Sequence, residues 1–352
     1  MALDAPMAAP TELTVDLGAL AANFRTLQAV SGAQVHPVVK ADAYGLGAAA
    51  CARRLRAEGA EIFFVARLEE GVALRLDLGP GPIIYVLDGC SEDAAPSLKA
   101  SGLRPVLNDG DQLTAWRVAG GGPCAVQIDT GMNRLGFRPE DAPVSFPGLA
   151  MVLSHLACAD DPSAVMNARQ RRDFAALAGR YPGAIQSFAN SGGCFLGQEY
   201  AFDAVRPGIA LYGGGPHGRP DPRIRPVATF SARILQLRGL SVGESVGYSA
   251  GFVTDRPRRI ATIAAGYADG VLRAYSPRGQ AYIGGELRSL LGRVSMDVCA
   301  VDATDLDVRV GDPVELFGAN RPLDDAAAAA DTVAWELLTS VGSRVPRRYI
   351  GA

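Results

Sequence analysis

The segment Val35-His-Pro-Val-Val-Lys40-Ala-Asp-Ala-Tyr-Gly-Leu-Gly47 indicates how this chain folds. It begins as an apolar run typical of a buried strand, and a Gly-containing turn leads into the Ala-rich, helix-like stretch 48–58. Lys40 stands at the end of the predicted strand, where burial disfavours its charge. Such a lysine serves as a nucleophile, a base or a Schiff-base partner. Alternatively, its ammonium group simply reaches solvent, and this segment alone leaves both interpretations open.

The same strand-then-helix unit recurs through the first two thirds of the chain. Helix-like stretches lie at 48–58, 68–76, 109–119 and 165–178. Eight apolar segments are predicted to be strands: 35–40, 62–67, 82–88, 103–108, 124–129, 148–155, 184–190 and 204–211. This alternation predicts an α/β protein with an N-terminal (β/α)8 barrel. An open, doubly wound sheet is the alternative, but it seldom needs eight consecutive units, and no Gly-x-Gly-x-x-Gly follows the first strand.

Seven of the eight predicted barrel strands end in a polar residue, and the eighth, 204–211, contains Arg206. These residues are Lys40, Arg67, Asp88, Asn108, Asp129, His155, Asn190 and Arg206. In a (β/α)8 barrel the C-terminal ends of the strands meet on one face, and that face holds the active site. We therefore expect an active site that includes Lys40 at this end of the barrel.

After about residue 225 the helical stretches give way to short strands separated by turns. Strands are expected at 227–237, 245–248, 259–265, 280–283, 286–291, 295–301 and 313–317, with a helix near 332–338. The sequence therefore predicts a barrel domain over residues 1–225 and a smaller, mainly β domain over residues 226–352.

Composition narrows the class of protein. The chain has 352 residues, of which 48% are hydrophobic and 20% charged, with a formal net charge of -3. These values are typical of a globular enzyme, and the scattered basic residues argue against nucleic-acid binding. We expect no membrane span and a cytoplasmic location, because no apolar run is long enough and the N-terminus lacks the pattern of a signal peptide. Six separated cysteines and three histidines predict reduced thiols and no metal site.

Eight motifs run in order along nearly the whole chain. They are Val-Val-Lys40-Ala-Asp-Ala-Tyr44-Gly-Leu-Gly, Asp129-Thr-Gly-Met-Asn-Arg134-Leu-Gly, Ser154-His155, Ala189-Asn190-Ser191-Gly, Arg206-Pro-Gly208-Ile209, Ala265-Gly-Tyr267-Ala-Asp-Gly, Gly292-Arg293-Val-Ser-Met296-Asp297 and Arg344-Val-Pro-Arg-Arg-Tyr349. Together they resemble the bacterial alanine racemases, which depend on pyridoxal 5'-phosphate (PLP). The lysine motif and the Gly-Tyr-Ala-Asp-Gly motif are the specific ones, and the resemblance depends on finding both.

The resemblance implies that the chain interconverts L- and D-alanine with PLP, for peptidoglycan synthesis or alanine catabolism, as a homodimer with shared active sites. Lys40 matches the lysine that holds PLP covalently and acts on D-alanine, and Tyr267 matches the tyrosine that the other subunit supplies to act on L-alanine. Contacts to PLP are implied for Tyr44, His155, Asn190, Ser191, Arg206, Gly208, Ile209 and Tyr349. Contacts to the substrate are implied for Arg134 and Met296, with Arg293 and Asp297 behind them.

The chemistry of the reaction is consistent with these roles. Racemisation removes the Cα proton on one face of the substrate and returns a proton on the other, so the simplest site has one base on each face. Tyr267 is a poor base at an ordinary pKa of about 10, and a cationic neighbourhood from arginines or His155 would improve it. Arg206, implied to face the PLP ring nitrogen, cannot accept a proton from it. Arg206 should therefore limit electron withdrawal by the ring and side reactions such as transamination.

Gln127 departs from the pattern of the resemblance. Many members of the family have a lysine two residues before the Asp of Asp129-Thr-Gly, and that lysine becomes carbamylated and holds the substrate-binding arginine. With Gln127 at this position we expect no carbamate, although a neutral amide can still accept a hydrogen bond from Arg134, without the negative charge.

Three other functions stay open at this stage. A racemase of serine, lysine or a broader range of amino acids would differ in pocket size, and Tyr44 and Tyr349 would narrow the entrance in favour of alanine. A non-catalytic PLP-binding protein would lack the C-terminal domain that carries Tyr267. A decarboxylase of similar architecture would place an acidic residue where Arg206 stands.

Overall fold

The computed structural model describes residues 9–351, which form two compact units. One unit runs from Leu20 to Leu211, and the other joins the described residues up to Ala19 with those from Tyr212 onwards. This division does not coincide with the predicted boundary at residue 225. The N-terminal residues join the second unit because the strand Thr11–Asp16 (β1) pairs with a strand near the C-terminus, at Val15 with Tyr349 for example.

The first unit contains a parallel eight-stranded sheet that follows the chain order, and its first strand pairs with its last. The strands are β2 (Gln34–Val35), β3 (Ile62–Val65), β4 (Ile83–Val86), β5 (Arg104–Leu107), β6 (Cys124–Gln127), β7 (Leu149–Leu153), β8 (Ile185–Ser187) and β9 (Ala204–Val205). The sheet closes between its first two strands, where the Val39 amide donates to the Phe64 carbonyl at 2.8 Å. The barrel prediction is confirmed.

The first barrel strand is shorter than predicted. The strand β2 has only two residues, and Lys40 begins a helical turn instead of ending a strand. Pro37 has no amide hydrogen and cannot donate to a neighbouring strand, so regular pairing is interrupted there. Strand-like bonds resume at Val38, whose amide donates to the Pro207 carbonyl at 3.0 Å. Each of the other seven barrel strands lies within its predicted segment.

The helices of this region also differ from strict alternation. They are α1 (Leu17–Ser31), α2 (Lys40–Gly45), α3 (Ala48–Ala57), α4 (Leu68–Leu78), α5 (Ala95–Ala100), α6 (Gly110–Val118) and α7 (Val165–Ala178). The sequence analysis did not predict α1 and α5. Residues 128–148, between β6 and β7, contain no helix, and β8 is followed by the short 3-10 turns Gly193–Phe195 and Gln198–Tyr200.

Apolar side chains from the barrel strands form one buried cluster. Its members are Val38, Ile62, Phe64, Tyr85, Val106, Ala125, Met151 and Leu153. Strands β3 and β6 are buried along their whole length, as a sheet covered on both faces requires. The interior is therefore filled with side chains, which leaves the loops at the strand ends to carry the chemistry.

The second unit is mainly β, as predicted. Its further strands are β10 (Ala228–Leu240), β11 (Ser245–Val246), β12 (Phe252–Val253), β13 (Arg258–Ile263), β14 (Gln280–Ile283), β15 (Glu286–Leu291), β16 (Cys299–Asp302), β17 (Pro313–Phe317) and β18 (Arg347–Ile350). Its helices are α8 (Leu323–Ala329) and α9 (Ala334–Ser340). The main sheet has the order β13-β16-β15-β14-β17-β10-β1-β18, and β10 also pairs with β13. Within residues 9–351 no helix has the length and apolarity needed to cross a membrane.

Candidate active site

Lys40 is followed by a turn of unusual handedness. The φ angles of residues 41–44 run from 51° to 58°, in the left-handed region, which costs a non-glycine residue about 1–2 kcal/mol. The Ala43 amide donates to the Val39 carbonyl at 2.9 Å and closes the turn around Lys40. The backbone directly after Lys40 is therefore held in a strained conformation.

The surroundings of Lys40 favour its neutral form. Burial lowers the pKa of its ammonium group, and the positive charge of Arg134 lowers it further, while Glu70 and Asp88 act in the opposite direction. A lysine with a lowered pKa is a better nucleophile and base near neutral pH. This environment fits a chemical role better than a lysine that merely reaches solvent.

The left-handed turn places Tyr44 against the segment after β9. Gly208 lies so close to Tyr44 that a Cβ atom there would collide with the tyrosine hydroxyl, so the contact requires glycine. Burial raises the pKa of Tyr44 to about 12, and its hydroxyl therefore stays protonated and able to donate.

Two more hydrogen-bond donors lie in the same place. Ser191 Oγ accepts the amides of Gly208 at 3.0 Å and Ala210 at 3.2 Å, which leaves its own hydrogen to donate. The Ile209 amide has no acceptor within the part of the chain that the structure describes. With Tyr44, these groups form a set of donors suited to a phosphate group.

Arg206 is buried, with 4% of its surface exposed. Its guanidinium donates to Ser187 Oγ at 2.6 Å and to the Ser154 carbonyl at 2.5 Å, and it lies over the Phe64 ring at 5.8 Å. Burial lowers the pKa of Arg206 to about 10, so the group remains charged at neutral pH. The site thus contains a fixed cation that donates hydrogen bonds and cannot accept them.

His155 is neutral in this setting. Burial, followed by the charges of Arg206, Arg134 and Lys40, lowers its pKa to about 3. His155 therefore cannot supply the positive charge that was considered for it, and the same role for the arginines stays a prediction. Its backbone carbonyl accepts a hydrogen bond from Gln170 at 3.0 Å, which helps to fix its position.

Gln127 bonds to a backbone carbonyl and not to Arg134. Its side-chain amide donates to the Leu135 carbonyl at 2.7 Å, and among residues 9–351 no hydrogen bond joins it to Arg134. Arg134 is exposed in the connection after β6, yet its charge acts on both Lys40 and His155.

Asn190 has a local role in this part of the barrel unit. Its Oδ1 accepts the Gly193 amide at 3.0 Å, and its carbonyl accepts the Cys194 amide at 3.1 Å. Both bonds hold the short 3-10 turn that follows β8. Because Ser191 is the next residue, Asn190 fixes the start of the segment that presents the Ser191 hydroxyl. Its predicted contact to PLP stays a prediction.

Tyr267 and Met296 lie together in the second unit. Tyr267 begins the 3-10 turn Tyr267–Asp269, and its amide donates to the Ser295 carbonyl at 2.9 Å. The next amide, of Ala268, donates to the Met296 carbonyl at 3.0 Å. Tyr267 is 45% exposed and Met296 53% exposed in the single chain.

Arg344 connects the loop that carries Tyr267 to the loop that carries Met296. Its Nε and Nη2 donate to the two carboxylate oxygens of Asp269 at 2.6 and 2.8 Å, and its Nη1 donates to Asp297 at 2.8 Å. Asp269 is buried and also accepts the Gly266 amide at 2.9 Å. One guanidinium thus joins the residues that flank Tyr267 to those that flank Met296.

The predicted site residues therefore fall into two sets. Lys40, Tyr44, Arg134, His155, Asn190, Ser191, Arg206, Gly208 and Ile209 belong to the barrel unit, and Tyr267, Met296 and Tyr349 belong to the second unit. Tyr349 lies in β18 and is 41% exposed. Its predicted contact to PLP stays a prediction.

Sequence reasoning missed Glu70 and Ser187, which contact the residues around Lys40 and Arg206. Glu70 is the third residue of α4, where an acidic side chain is typical of a helix start, so a signal for it was present. Ser187 carried no signal, because a serine within a short strand has many uses. No group of three or more His, Cys, Asp or Glu residues that could hold a metal ion occurs within residues 9–351.

The residues of the barrel unit fit PLP. The lysine with a lowered pKa suits covalent attachment, the donors around Gly208 suit a phosphate, and the buried Arg206 can donate to a ring nitrogen. The Ile209 amide, which has no acceptor among the described residues, and the Ser191 hydroxyl hydrogen could both donate to an anion at this position. Fold and site together define a barrel enzyme of the class that holds a phosphate-bearing cofactor on a lysine.

Comparison with known proteins identifies the family. Residues 15–216 match the family model of the alanine racemase N-terminal domain, and residues 227–349 match that of the C-terminal domain. The chain belongs to the alanine racemase family, which confirms the resemblance seen in its motifs.

Individual relatives agree over nearly their whole length. The catabolic alanine racemase of Mesorhizobium japonicum is 45% identical, with 98% of this chain and 94% of the relative covered. The biosynthetic enzyme of Agrobacterium fabrum is 42% identical, with 99% and 96% covered. The crystal structure of alanine racemase from Bartonella henselae with covalently bound pyridoxal phosphate has a TM-score of 0.91 and 39% identity, covering 97% of this chain and 100% of that one.

Proposed function

We propose that this chain interconverts L- and D-alanine with PLP attached to Lys40, and that Lys40 and Tyr267 are its two bases. The reaction and the cofactor accord with its membership of the alanine racemase family. The observation that carries the assignment is the partly buried Lys40, with its lowered pKa, in the same unit as the donors around Gly208. When bound, PLP withdraws electrons from the substrate and makes its Cα proton removable.

Each residue then has a defined task. Lys40 moves a proton at one face of the alanine Cα, and Tyr267 of a second subunit moves a proton at the other face. Tyr44, Ser191, Gly208 and Ile209 hold the phosphate. These four residues would hold the cofactor by its phosphate, so the cofactor would stay bound when its bond to Lys40 is released.

The charged residues orient the reactants. Arg206 donates to the ring nitrogen and keeps it unprotonated, and Arg134 binds the substrate carboxylate. The buried, positively charged Arg206 argues against a decarboxylase, which would have an acidic residue at this position. His155 is neutral and serves through contact with the cofactor, not through charge.

A homodimer in the cytoplasm completes the proposal. Tyr267 is 45% exposed in the single chain, whereas a base that works on a carbon acid needs a site from which water is excluded. A second copy of the chain that covers Tyr267 and Met296 would provide such a site, and two-fold symmetry would form it twice.

Subunit mixing tests this function. Lys40→Ala and Tyr267→Phe proteins should each be inactive alone, but a hybrid dimer has one site with both bases intact. Random exchange of subunits should therefore restore about a quarter of wild-type alanine racemisation. Absence of any recovery, with hybrid dimers demonstrated by mass spectrometry, would contradict the shared site.

A further inference from the structure

Glu70 uses its two carboxylate oxygens on two separate segments. Oε2 accepts the amides of Ala66 at 2.8 Å and Arg67 at 3.2 Å, which is a common arrangement at a helix start. Oε1 accepts the amide of Ala41 at 2.8 Å. Capping of α4 does not require this third bond, because Ala41 belongs to a different strand-to-helix connection.

Ala41 is the residue directly after Lys40 and the first of the left-handed residues 41–44. A strained turn persists only where its surroundings hold it. On the far side of the turn, Asp42 Oδ1 accepts the Ala48 amide at 2.6 Å. On the near side, Glu70 holds the peptide that links Lys40 to Ala41.

We propose that Glu70 is a positioning residue for Lys40, which fixes the start of the lysine side chain by anchoring the Ala41 amide to the end of β3. This inference rests on the proposed role of Lys40 as a base and deepens it. Without the anchor, the turn can relax towards ordinary backbone angles, and the amine loses its direction towards the substrate.

Electrostatics give independent support. Burial and Arg134 lower the pKa of Lys40, whereas the carboxylates of Glu70 and then Asp88 raise it. Glu70 therefore lies close enough to adjust the basicity of Lys40 as well as its position. Its removal should make Lys40 a weaker base that is neutral down to lower pH.

The test compares Glu70→Gln with Glu69→Gln in the full-length holoenzyme. Both substitutions remove one negative charge from the first turn of α4, but Glu69 is exposed and, within residues 9–351, makes no hydrogen bond to residues 41–47. Amide hydrogen exchange in segment 41–47 should become about tenfold faster in Glu70→Gln. Its kcat should fall about tenfold with little change in KM.

The pH profile provides a second readout. In Glu70→Gln, the pH dependence of proton removal from D-alanine should move to lower pH. Glu70→Asp keeps the charge but shortens the side chain, so it should restore the profile while hydrogen exchange in segment 41–47 stays fast. If Glu70→Gln does not fold, Glu70→Asp is compared with Glu69→Gln instead.

Two results are decisive. If hydrogen exchange and kcat of the Glu70 variants match those of Glu69→Gln, the proposal is overturned and Glu70 only caps a helix. Failure of the proposed function is a different result: a Lys40→Ala protein that still exchanges the Cα hydrogen of D-alanine refutes the role of Lys40, whereas the hydrogen-exchange comparison at Glu70 still stands.

Discussion

The regions around Lys40 and Tyr267 are held in place by different means. Lys40 is partly buried in the barrel unit, before four left-handed residues and close to the positive charge of Arg134. Tyr267 is 45% exposed on a 3-10 turn of the second unit, and the ion pairs of Arg344 hold its loop.

This difference matches what each of the two proposed bases would have to do. A lysine that both holds a cofactor and moves a proton needs a fixed starting point, and a strained turn held by hydrogen bonds provides one. A tyrosine that acts in a second subunit must stay accessible until the subunits meet, so polar contacts behind it do the positioning. The Lys40 region should therefore be sensitive to its backbone contacts and the Tyr267 region to its ion pairs.

Lys40→Ala should give the largest effect. The loss of both the attachment point and a base should slow racemisation at least about 10⁴-fold. Deuterium incorporation at Cα, followed by NMR, should stop for both enantiomers. Lys99 is the other lysine of the sequence and donates to the Ala119 carbonyl, so Lys99→Gln is the control and should keep its activity.

Tyr267→Phe should be severe but one-sided. Racemisation should fall about 10²–10⁴-fold, equally in both directions, because the equilibrium constant is fixed. Deuterium incorporation from D-alanine should persist, since Lys40 is intact, whereas incorporation from L-alanine should nearly vanish. Tyr248→Phe, at an exposed tyrosine of the same unit, is the matched control. Equal loss from both enantiomers would contradict the two-base assignment.

Arg344→Ala should reproduce the Tyr267 defect more weakly. Loss of the guanidinium leaves the buried Asp269 carboxylate unpaired and loosens the turn that carries Tyr267. We expect kcat to fall about 10- to 100-fold, with deuterium incorporation from L-alanine affected more than from D-alanine. Arg288→Ala breaks a separate ion pair with Glu286 and serves as the control. A uniform decrease for both enantiomers would show that Arg344 acts on overall folding.

Much of the fold was predictable because its signals are local. β14, β15 and β17 have the predicted bounds, since turn residues flank each apolar run. β1 and β18 were missed because each pairs with the other from the opposite end of the chain, for example Leu13 with Arg347. No local pattern indicates such a partner.

The candidate active site was likewise predictable only where its signals are local in sequence. Motifs identified Lys40 and Tyr267, but three of the four left-handed residues after Lys40 are Ala or Tyr, which have no preference for that conformation. One of the contacts that hold this turn comes from Glu70, whose carboxylate accepts the Ala41 amide across 29 residues of sequence. The lowered pKa of His155 likewise depends first on burial and then on the charges of Arg206, Arg134 and Lys40, and only the folded chain provides both.

Acid should weaken the barrel unit through its histidines. Burial and the charge of Arg206 lower the pKa of His36 from 6.5 to about 4, so between these values the unfolded chain binds more protons than the folded one. Stability is therefore lost as the pH falls. When the pH falls from 7 to 5, the free energy of unfolding should decrease in both proteins. The decrease should be about 2 kcal/mol smaller in His36→Gln than in the wild type. Urea unfolding at the two pH values measures this, and equal losses would contradict it.

Bicarbonate should have the smallest effect, namely none. A carbamate forms on a neutral amine, whereas Gln127 offers an amide that donates to the Leu135 carbonyl, so kcat/KM should not change when carbon dioxide is added. Gln127→Lys provides the contrast, because a carbamate there would place a negative charge near Arg134. That charge would offset the influence of Arg134 on Lys40 and raise the pKa of Lys40. The pH profile of proton removal from D-alanine should therefore move to higher pH in this variant, and only when carbon dioxide is present. A wild-type enzyme that responded to bicarbonate would show that Arg134 has an anionic partner other than residue 127.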